Sequence, residues 1–260
     1  LGLRYLADYI GDSIISASFQ EFYLKNNLKY AKIDDFKKIV SSKTTKDISW
    51  FFEDYLKTTK KIDYTIKKAI IKDDSVYVTI KNKRNMTAPV ALYGLKNKQV
   101  KFKKWLTNID STKTIAIPKN GFNRVSLNFE NSYPEFNSMD NWKKVGKNIL
   151  NKPIQFKLYK DINDPYYHQI YLQPNIKYNF YDGALLGLRI HNSPLLSRNF
   201  QFSITPQYGT KSNALNGTFN TRYTQYFENS TINKIYYSLS GSNVHYAENH
   251  CCLEYEENRL

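Results

Sequence analysis

The fold is decided by residues 47–64, which read DISWFFEDYLKTTKKIDY. Asp47 is a good N-cap for a short helix beginning at Ile48, because its carboxylate can accept hydrogen bonds from the free amides of the first helical turn. Apolar side chains then recur near helical spacing and predict one heavy apolar face, formed by Trp50, Phe51, Tyr55 and Leu56.

The pattern changes from period 3.6 to period 2 beyond Leu56. Ile62, Tyr64 and Ile66 alternate with polar residues, which is typical of a half-buried strand. We therefore expect a helix to end and a strand to begin here, at a junction between two domains.

Residues 1–60 upstream of this junction predict a run of short helices. Gly11 ends the first, Ser13 caps a second that ends near residues 26–27, and Ile33 opens a third. Short connections between them favour an α-bundle, here the tail of a larger one. Because Leu1 lies inside the first helical pattern, we expect the chain to be part of a longer protein.

Residues 61–131 alternate in short segments separated by turn signals, which predicts a β-sandwich. Residues 132–164 are polar and rich in Asn and Lys, and predict a linker with at most a short helix at 142–150. The expected fold class is therefore a multidomain α+β protein, in which residues 165–260 form a third region.

Residues 165–260 predict strands of about ten residues with one aromatic-rich apolar face and one polar face. The segment 200–209 shows the alternation most strictly. This pattern favours an antiparallel β-meander resembling a truncated outer-membrane β-barrel, because the five or six strands that fit are fewer than the roughly eight of the smallest common barrel. A soluble antiparallel sheet, forming a second sandwich, alternates as cleanly and stays open as an alternative.

The junction also carries a family resemblance. KDISWFFEDYLKTTKKIDYTI at 46–66 and LRYLADYIGD at 3–12 resemble the end of the helical domain in M1-family (gluzincin) zinc aminopeptidases, where it precedes an Ig-like sandwich. YNFYDGALLGLRIHN at 178–192 resembles the first hairpin of barrels that some bacterial M1-like proteins carry. The resemblance implies the C-terminal part of a Gram-negative outer-membrane protein, with a periplasmic or surface-exposed peptidase-like part that acts on peptides and uses zinc.

The zinc motif of that family is absent from this chain, because none of His168, His191, His245 and His250 is followed by Glu. The family's oxyanion Tyr would lie before Leu1, so Tyr5 and Tyr9 are not given its role. We therefore expect no catalytic, cofactor-binding or metal-binding residue here, and zinc only in the parent protein. His245, Glu248 and His250 do not share a strand face, which disfavours a metal there.

The net charge of +15 is uneven, since residues 165–260 hold seven basic and six acidic residues and leave +14 on residues 1–164. The lysines are scattered singly and in pairs through solvated faces, so nucleic-acid binding is disfavoured. Cys251 and Cys252 are adjacent, which is poor geometry for a disulfide. The partners expected are peptides, through the missing catalytic part, and outer-membrane lipid. The rival hypothesis is a non-catalytic periplasmic binding or scaffold module on a barrel.

Overall fold

The computed structural model describes residues 2–84, 86–146, 151–196, 198–227, 230–244 and 253–259, the last for its backbone alone. The chain divides into two compact units, Leu1–Lys152 and Pro153–Leu260. The strands form three separate sheets. Of the predicted multidomain α+β fold, the structure shows the coarser part: a chain rich in strands, with few helices and several sheets.

Unit 1 opens with three α-helices: α1 (Gly2–Ile10), α2 (Asp12–Asn26) and α3 (Ile33–Lys43). Gly11, at φ 116°, ends α1 as predicted, whereas α2 begins at Asp12 without the expected Ser13 cap. The helices contribute to the same buried core as the sandwich that follows, and by themselves the described helices do not form a bundle. The predicted bundle tail is therefore not shown.

The helix at the junction is a single π-helical turn, Trp50–Tyr55. Its backbone hydrogen bond joins residues five positions apart, since the Leu56 N–H donates to the Phe51 carbonyl at 3.0 Å. Asp47 does accept from the Ser49 amide, at 2.8 Å. The predicted apolar face is wrong in one respect: Phe52 is buried, whereas Leu56 is 43% exposed. The three consecutive aromatic side chains Trp50, Phe51 and Phe52 are all buried, which the wider π turn accommodates. A single π turn is a known variant within α-helices.

The rest of unit 1 is a sandwich of two antiparallel sheets. One has the order β1-β2-β5 and the other β4-β3-β6-β7. The strands are β1 (Tyr64–Lys72), β2 (Ser75–Asn82), β3 (Val90–Lys96), β4 (Gln99–Leu106), β5 (Thr112–Pro118), β6 (Arg124–Leu127) and β7 (Trp142–Lys144). The alternation in β2 is as predicted, with Val76, Val78 and Ile80 fully buried.

The segment 132–164, predicted as a linker, contributes to both units. A 3₁₀ turn at Ser138–Asp140 precedes β7, and β8 (Ile154–Lys157) belongs to the sheet of unit 2. The short helix predicted at 142–150 is wrong at its start, because Trp142–Lys144 pairs with β6 as a strand. Its end, 147–150, lies outside the described residues.

Unit 2 is one seven-stranded sheet with the order β14-β13-β12-β11-β10-β9-β8. Strands β9 to β14 form an antiparallel meander, and β8 joins in parallel to β9. Their bounds are β9 (His168–Asn179), β10 (Gly183–His191), β11 (Phe200–Gly209), β12 (Leu215–Tyr226), β13 (Lys234–Val244) and β14 (Leu253–Arg259). The meander is as predicted, and the described strands do not close into a barrel. In the described parts of the chain, no helix is long and apolar enough to cross a membrane.

Candidate functional site

The two described histidines lie on neighbouring strands and differ in exposure. His168 is exposed at the start of β9 and His191 is fully buried at the end of β10, while His245 and His250 lie outside the described residues, as do Cys251 and Cys252. Within the ranges that the structure describes, no group of three His, Cys, Asp or Glu side chains is placed to hold a metal ion.

The two tyrosines near the start of the chain belong to the core. Tyr5 is fully buried and its hydroxyl donates to the Pro89 carbonyl, while Tyr9 is 5% exposed with its ring 6.1 Å from that of Trp50. Burial raises the pKa of both phenols, well above the usual range for Tyr5. The side chains of Tyr5 and Tyr9 therefore serve packing.

Glu135 is the most perturbed carboxyl of unit 1. The Tyr64 amide donates to Oε1 at 2.9 Å and Asn141 Nδ2 donates to Oε2 at 2.6 Å. Burial of the carboxyl group nevertheless raises its pKa to about 8, with the negative charges of Asp63 and Asp140 adding to the effect. Nothing in the sequence pattern marks this residue, because its burial comes from contacts with β1, far away along the chain.

One face of the unit 2 sheet is apolar and exposed. Leu186, on β10, stands opposite Ile176 and Tyr208, and the next strand continues the same face with Phe219. Large apolar side chains of this face are between 38% and 77% exposed: Ile176, Tyr178, Leu186, Leu188, Phe200, Ile204, Tyr208, Leu215, Phe219, Tyr223, Tyr237 and Leu239. We call this set the apolar face. In proteins, a large contiguous exposed apolar surface is a feature of sites that bind another protein, a ligand or a membrane.

The opposite face is polar and more buried. Thr205, Gln207, Asn216 and His191 are each at most 5% exposed. Gln207 Nε2 donates to Asn175 Oδ1 at 2.8 Å, directly above Gly187, which pairs with both residues and has no side chain to separate them. We call this side the polar face. Around these residues the side chains of the polar face shield one another, whereas the large side chains of the apolar face are exposed.

A hollow of about 730 Å³ lies on the sheet between β11, β12 and β13. The hollow is lined by residues 204–206, 215–219 and 241–243. The first and last residue of each range lie on the apolar side of the sheet. Gly217 and Gly241 have no side chain to fill the space between them. The Phe219 ring lies against Gly241. The hollow is therefore a depression in the apolar face.

Comparison with known proteins yields little. No family model matches the chain, and no curated protein matches it. Among solved structures, it is similar to Legionella pneumophila aminopeptidase A in complex with aspartic acid, with 16% identity and a TM-score of 0.42. The match covers 49% of this chain and 16% of that one, so this chain spans only a small part of the aminopeptidase. A similarity of this size does not establish a fold.

The described strands of unit 2 thus form an amphipathic sheet. Period-2 alternation in the sequence predicted its two faces. The buried contacts of His191 and Glu135 were not predicted, since both depend on segments distant in sequence.

Proposed function

We propose that this chain is the C-terminal part of an M1-like zinc metallopeptidase, which unit 2 anchors in a bacterial outer membrane as part of a β-barrel. The observation that carries the anchoring is an inversion in the unit 2 sheet: its large apolar side chains are exposed, whereas Thr205, Gln207 and Asn216 on the polar face are buried. The complete protein would remove N-terminal residues from peptides.

The inversion distinguishes the proposed anchor from a soluble sheet. In water, the exposed face of an antiparallel sheet is normally the polar one. Membrane barrels alternate apolar-out and polar-in, with strands of about ten residues, and this is the pattern here. Tyr178 and Tyr208 stand near strand ends on the apolar face, where aromatic side chains suit the interface between lipid and water.

The peptidase part of the proposal rests on the sequence resemblance at residues 3–12 and 46–66. The proposal is supported by unit 1, where residues of both segments pack in one buried core with the following sandwich, the first segment as α1 and the second as the π turn and the start of β1. The donor groups of the described residues do not fit a zinc site, so no catalytic step is assigned to this chain. The zinc ligands would belong to a part of the parent protein upstream of Leu1.

The anchoring is tested by flotation of the full 260-residue chain with phospholipid vesicles in a density gradient. We expect the chain to need detergent for solubility and, after detergent removal, to float with the vesicles. A chain that stays monomeric in buffer without detergent and sediments apart from the vesicles would rule the anchor out.

The peptidase origin is tested by reading the source gene upstream of Leu1. We expect an in-frame His-Glu-x-x-His, a downstream Glu and a Tyr shortly before this chain. A continuous reading frame in which those positions are replaced would favour the non-catalytic scaffold. A start codon at Leu1 would rule out a parent peptidase. Purified alone, the chain should show no chelator-sensitive aminopeptidase activity with added zinc.

A further inference from the structure

Four large apolar side chains are exposed where α2 turns into α3. Residues 24–33, which include this turn, read LKNNLKYAKI. Leu28 is 100% exposed, and the other three are between 51% and 87% exposed: Leu24, Tyr30 and Ile33. We call residues 24–33 the tip.

Leu28 occupies a position of a tight turn that normally favours glycine. The Lys29 N–H donates to the Asn26 carbonyl at 3.0 Å, which closes a four-residue turn. Asn27 has φ −55° and ψ 124°, and Leu28 follows at φ 58°. These angles match a type II turn, whose third residue is usually Gly. A bulky apolar residue in this conformation strains the backbone, and a fully exposed side chain returns no packing energy to the fold.

The tip is held at the end of two packed helices. The ring of Phe36 in α3 lies 4.8 Å from that of Phe19 and 5.5 Å from that of Phe22, both in α2. Lys43 of α3 also pairs with Glu21 of α2, at 2.7 Å. The tip side chains are therefore presented on a packed helical hairpin, which lowers the entropy cost of binding through them.

Lysines are interleaved with the apolar side chains of the tip. Lys25, Lys29 and Lys32 are exposed, and residues 22–33 contain no Asp or Glu. Lys25 pairs with Glu21 at 2.6 Å, whereas Lys29 and Lys32 form no ion pair with any residue that the structure describes. The tip is therefore both apolar and positively charged.

We propose that the tip binds the surface of a phospholipid bilayer that contains anionic lipids. Leu28 and Tyr30 enter the boundary between headgroups and acyl chains, and the lysines meet the lipid phosphates. The proposal goes beyond the proposed function, because it concerns unit 1 and does not depend on unit 2 being a membrane anchor.

The mixture of side chains favours a bilayer over a protein partner. The buried centre of a protein interface is poor in Lys, whereas Leu24, Leu28, Tyr30 and Ile33 each have a lysine as a direct neighbour in the chain. At a bilayer surface the two kinds of side chain are compatible. Apolar groups are buried at the acyl boundary, Tyr suits the headgroup level, and lysines reach the phosphates through their flexible stems.

The test is co-flotation of the full chain with vesicles of phosphatidylglycerol and phosphatidylcholine in a density gradient. The chain is first held in phosphatidylcholine nanodiscs, which cover the apolar face of unit 2 if that face meets lipid. A chain that stays soluble in buffer is used without them. We expect binding to the mixed vesicles that weakens with added salt, and binding at least about tenfold weaker to vesicles of phosphatidylcholine alone.

Leu28→Gly should weaken binding about tenfold, because it removes a large apolar side chain from the contact. The denaturation midpoint of unit 1 should hardly change, since the relief of strain offsets the greater freedom of Gly in the unfolded chain. Leu28→Phe keeps an apolar side chain on the same backbone and should bind like the unchanged chain.

Lys29→Gln should weaken binding about fivefold, the effect of one lysine beside an anionic surface. Lys119→Gln is the matched control, because it removes the same charge from an exposed position between β5 and β6. We expect it to change binding by less than about twofold.

Three results would overturn the proposal. The first is no preference for phosphatidylglycerol, which would leave the tip to a protein partner. The second is equal weakening by Lys29→Gln and Lys119→Gln, which would indicate diffuse attraction to the whole basic unit. The third is undiminished binding by Leu28→Gly.

The two membrane contacts can fail separately. Tip-dependent binding by a chain that stays soluble without nanodiscs and does not insert would refute the unit 2 anchor alone. A chain that inserts through unit 2 but does not bind the added vesicles would refute the tip alone.

Discussion

The ring of Tyr5 in α1 stacks on the ring of Tyr133, which lies between β6 and β7, with centroids 4.3 Å apart and planes at 29°. The ring of Trp50 in the π turn lies 4.5 Å from the ring of Tyr5, centroid to centroid. One buried cluster includes residues from α1 to Tyr133. Helices and sandwich in unit 1 therefore share a core across the sequence junction.

Tyr133→Ala should lower the free energy of unfolding of unit 1 by about 3–5 kcal/mol, the usual cost of removing a large buried ring. Denaturant unfolding should show loss of helix and strand signals at one midpoint. Tyr133→Phe should be neutral or slightly stabilising, because the buried Tyr133 hydroxyl has no hydrogen-bond partner in the described residues. Tyr23→Ala, at a side chain 66% exposed, should change stability by less than about 0.5 kcal/mol. Separate helix and strand midpoints would contradict the shared core.

Glu135 should make unit 1 less stable as the pH rises from about 4.5 to about 8. Its pKa in the folded chain, about 8, lies above its ordinary value of 4.5. The folded state thus holds a proton that the unfolded state has lost, and stability falls with rising pH in that window. The slope is at most about 1.4 kcal/mol per pH unit, and water around the partly exposed side chain should reduce it.

Glu135→Gln should flatten this slope, as measured by urea unfolding between pH 5 and pH 8. The Gln oxygen can still accept from the Tyr64 amide, and its NH₂ can donate to Asn141 Oδ1, which lacks a partner in the described structure, once that amide flips. Glu53→Gln is the control, because Lys37 and Lys57 hold the pKa of Glu53 near 2, outside the tested range. An unchanged slope in Glu135→Gln would assign the pH dependence to another group.

Local periodicity predicted the elements whose structure is set by neighbouring residues. Val76, Val78 and Ile80 are buried in β2 as the alternation required, and the two faces of β10 and β11 follow the same rule. In such strands the position of a residue fixes its face.

Long-range packing decided what the sequence did not show. Trp50, Phe51 and Phe52 are all buried because the π turn is part of the hydrophobic core of unit 1. A pattern of period 3.6 does not predict the burial of three consecutive residues. Trp142 reads as polar linker sequence but pairs with β6, which comes before it in the chain. The His191 ring lies against Tyr171 of the neighbouring strand, and Arg198 donates to Asn163, so no local motif marks either residue.

Ile204→Lys should weaken vesicle association of the full chain. Ile204 is 50% exposed on the apolar face, and a Lys at a lipid-facing position of a barrel costs about 2–4 kcal/mol near the bilayer centre. The measurement is the fraction of protein that floats with vesicles.

Asn220→Lys is the matched control for Ile204→Lys. Asn220 is exposed, lies next to Phe219 along β12 and pairs with Ser203 on the polar face. Because that face would meet water in the proposed anchor, this variant should float like the unchanged chain. Equal flotation of both variants would show that the apolar face does not meet lipid.

Gly187→Ala should destabilise the unit 2 sheet by about 1–3 kcal/mol, the cost of overpacking a tight site. A Cβ at this position would meet the backbone carbonyl of Pro206 and would come 2.6 Å from Gln207 Cγ. The variant should also break the amide contact between Gln207 and Asn175 that passes over the glycine. Denaturant unfolding in micelles, followed by circular dichroism, measures both effects together.

Gln207→Ala, alone and combined with Gly187→Ala, separates them. If the Pro206 carbonyl is the main obstacle, Gly187→Ala should stay costly in the Gln207→Ala background, because backbone cannot move aside as a side chain does. A cost that vanishes there would mean that the glycine serves only the amide contact.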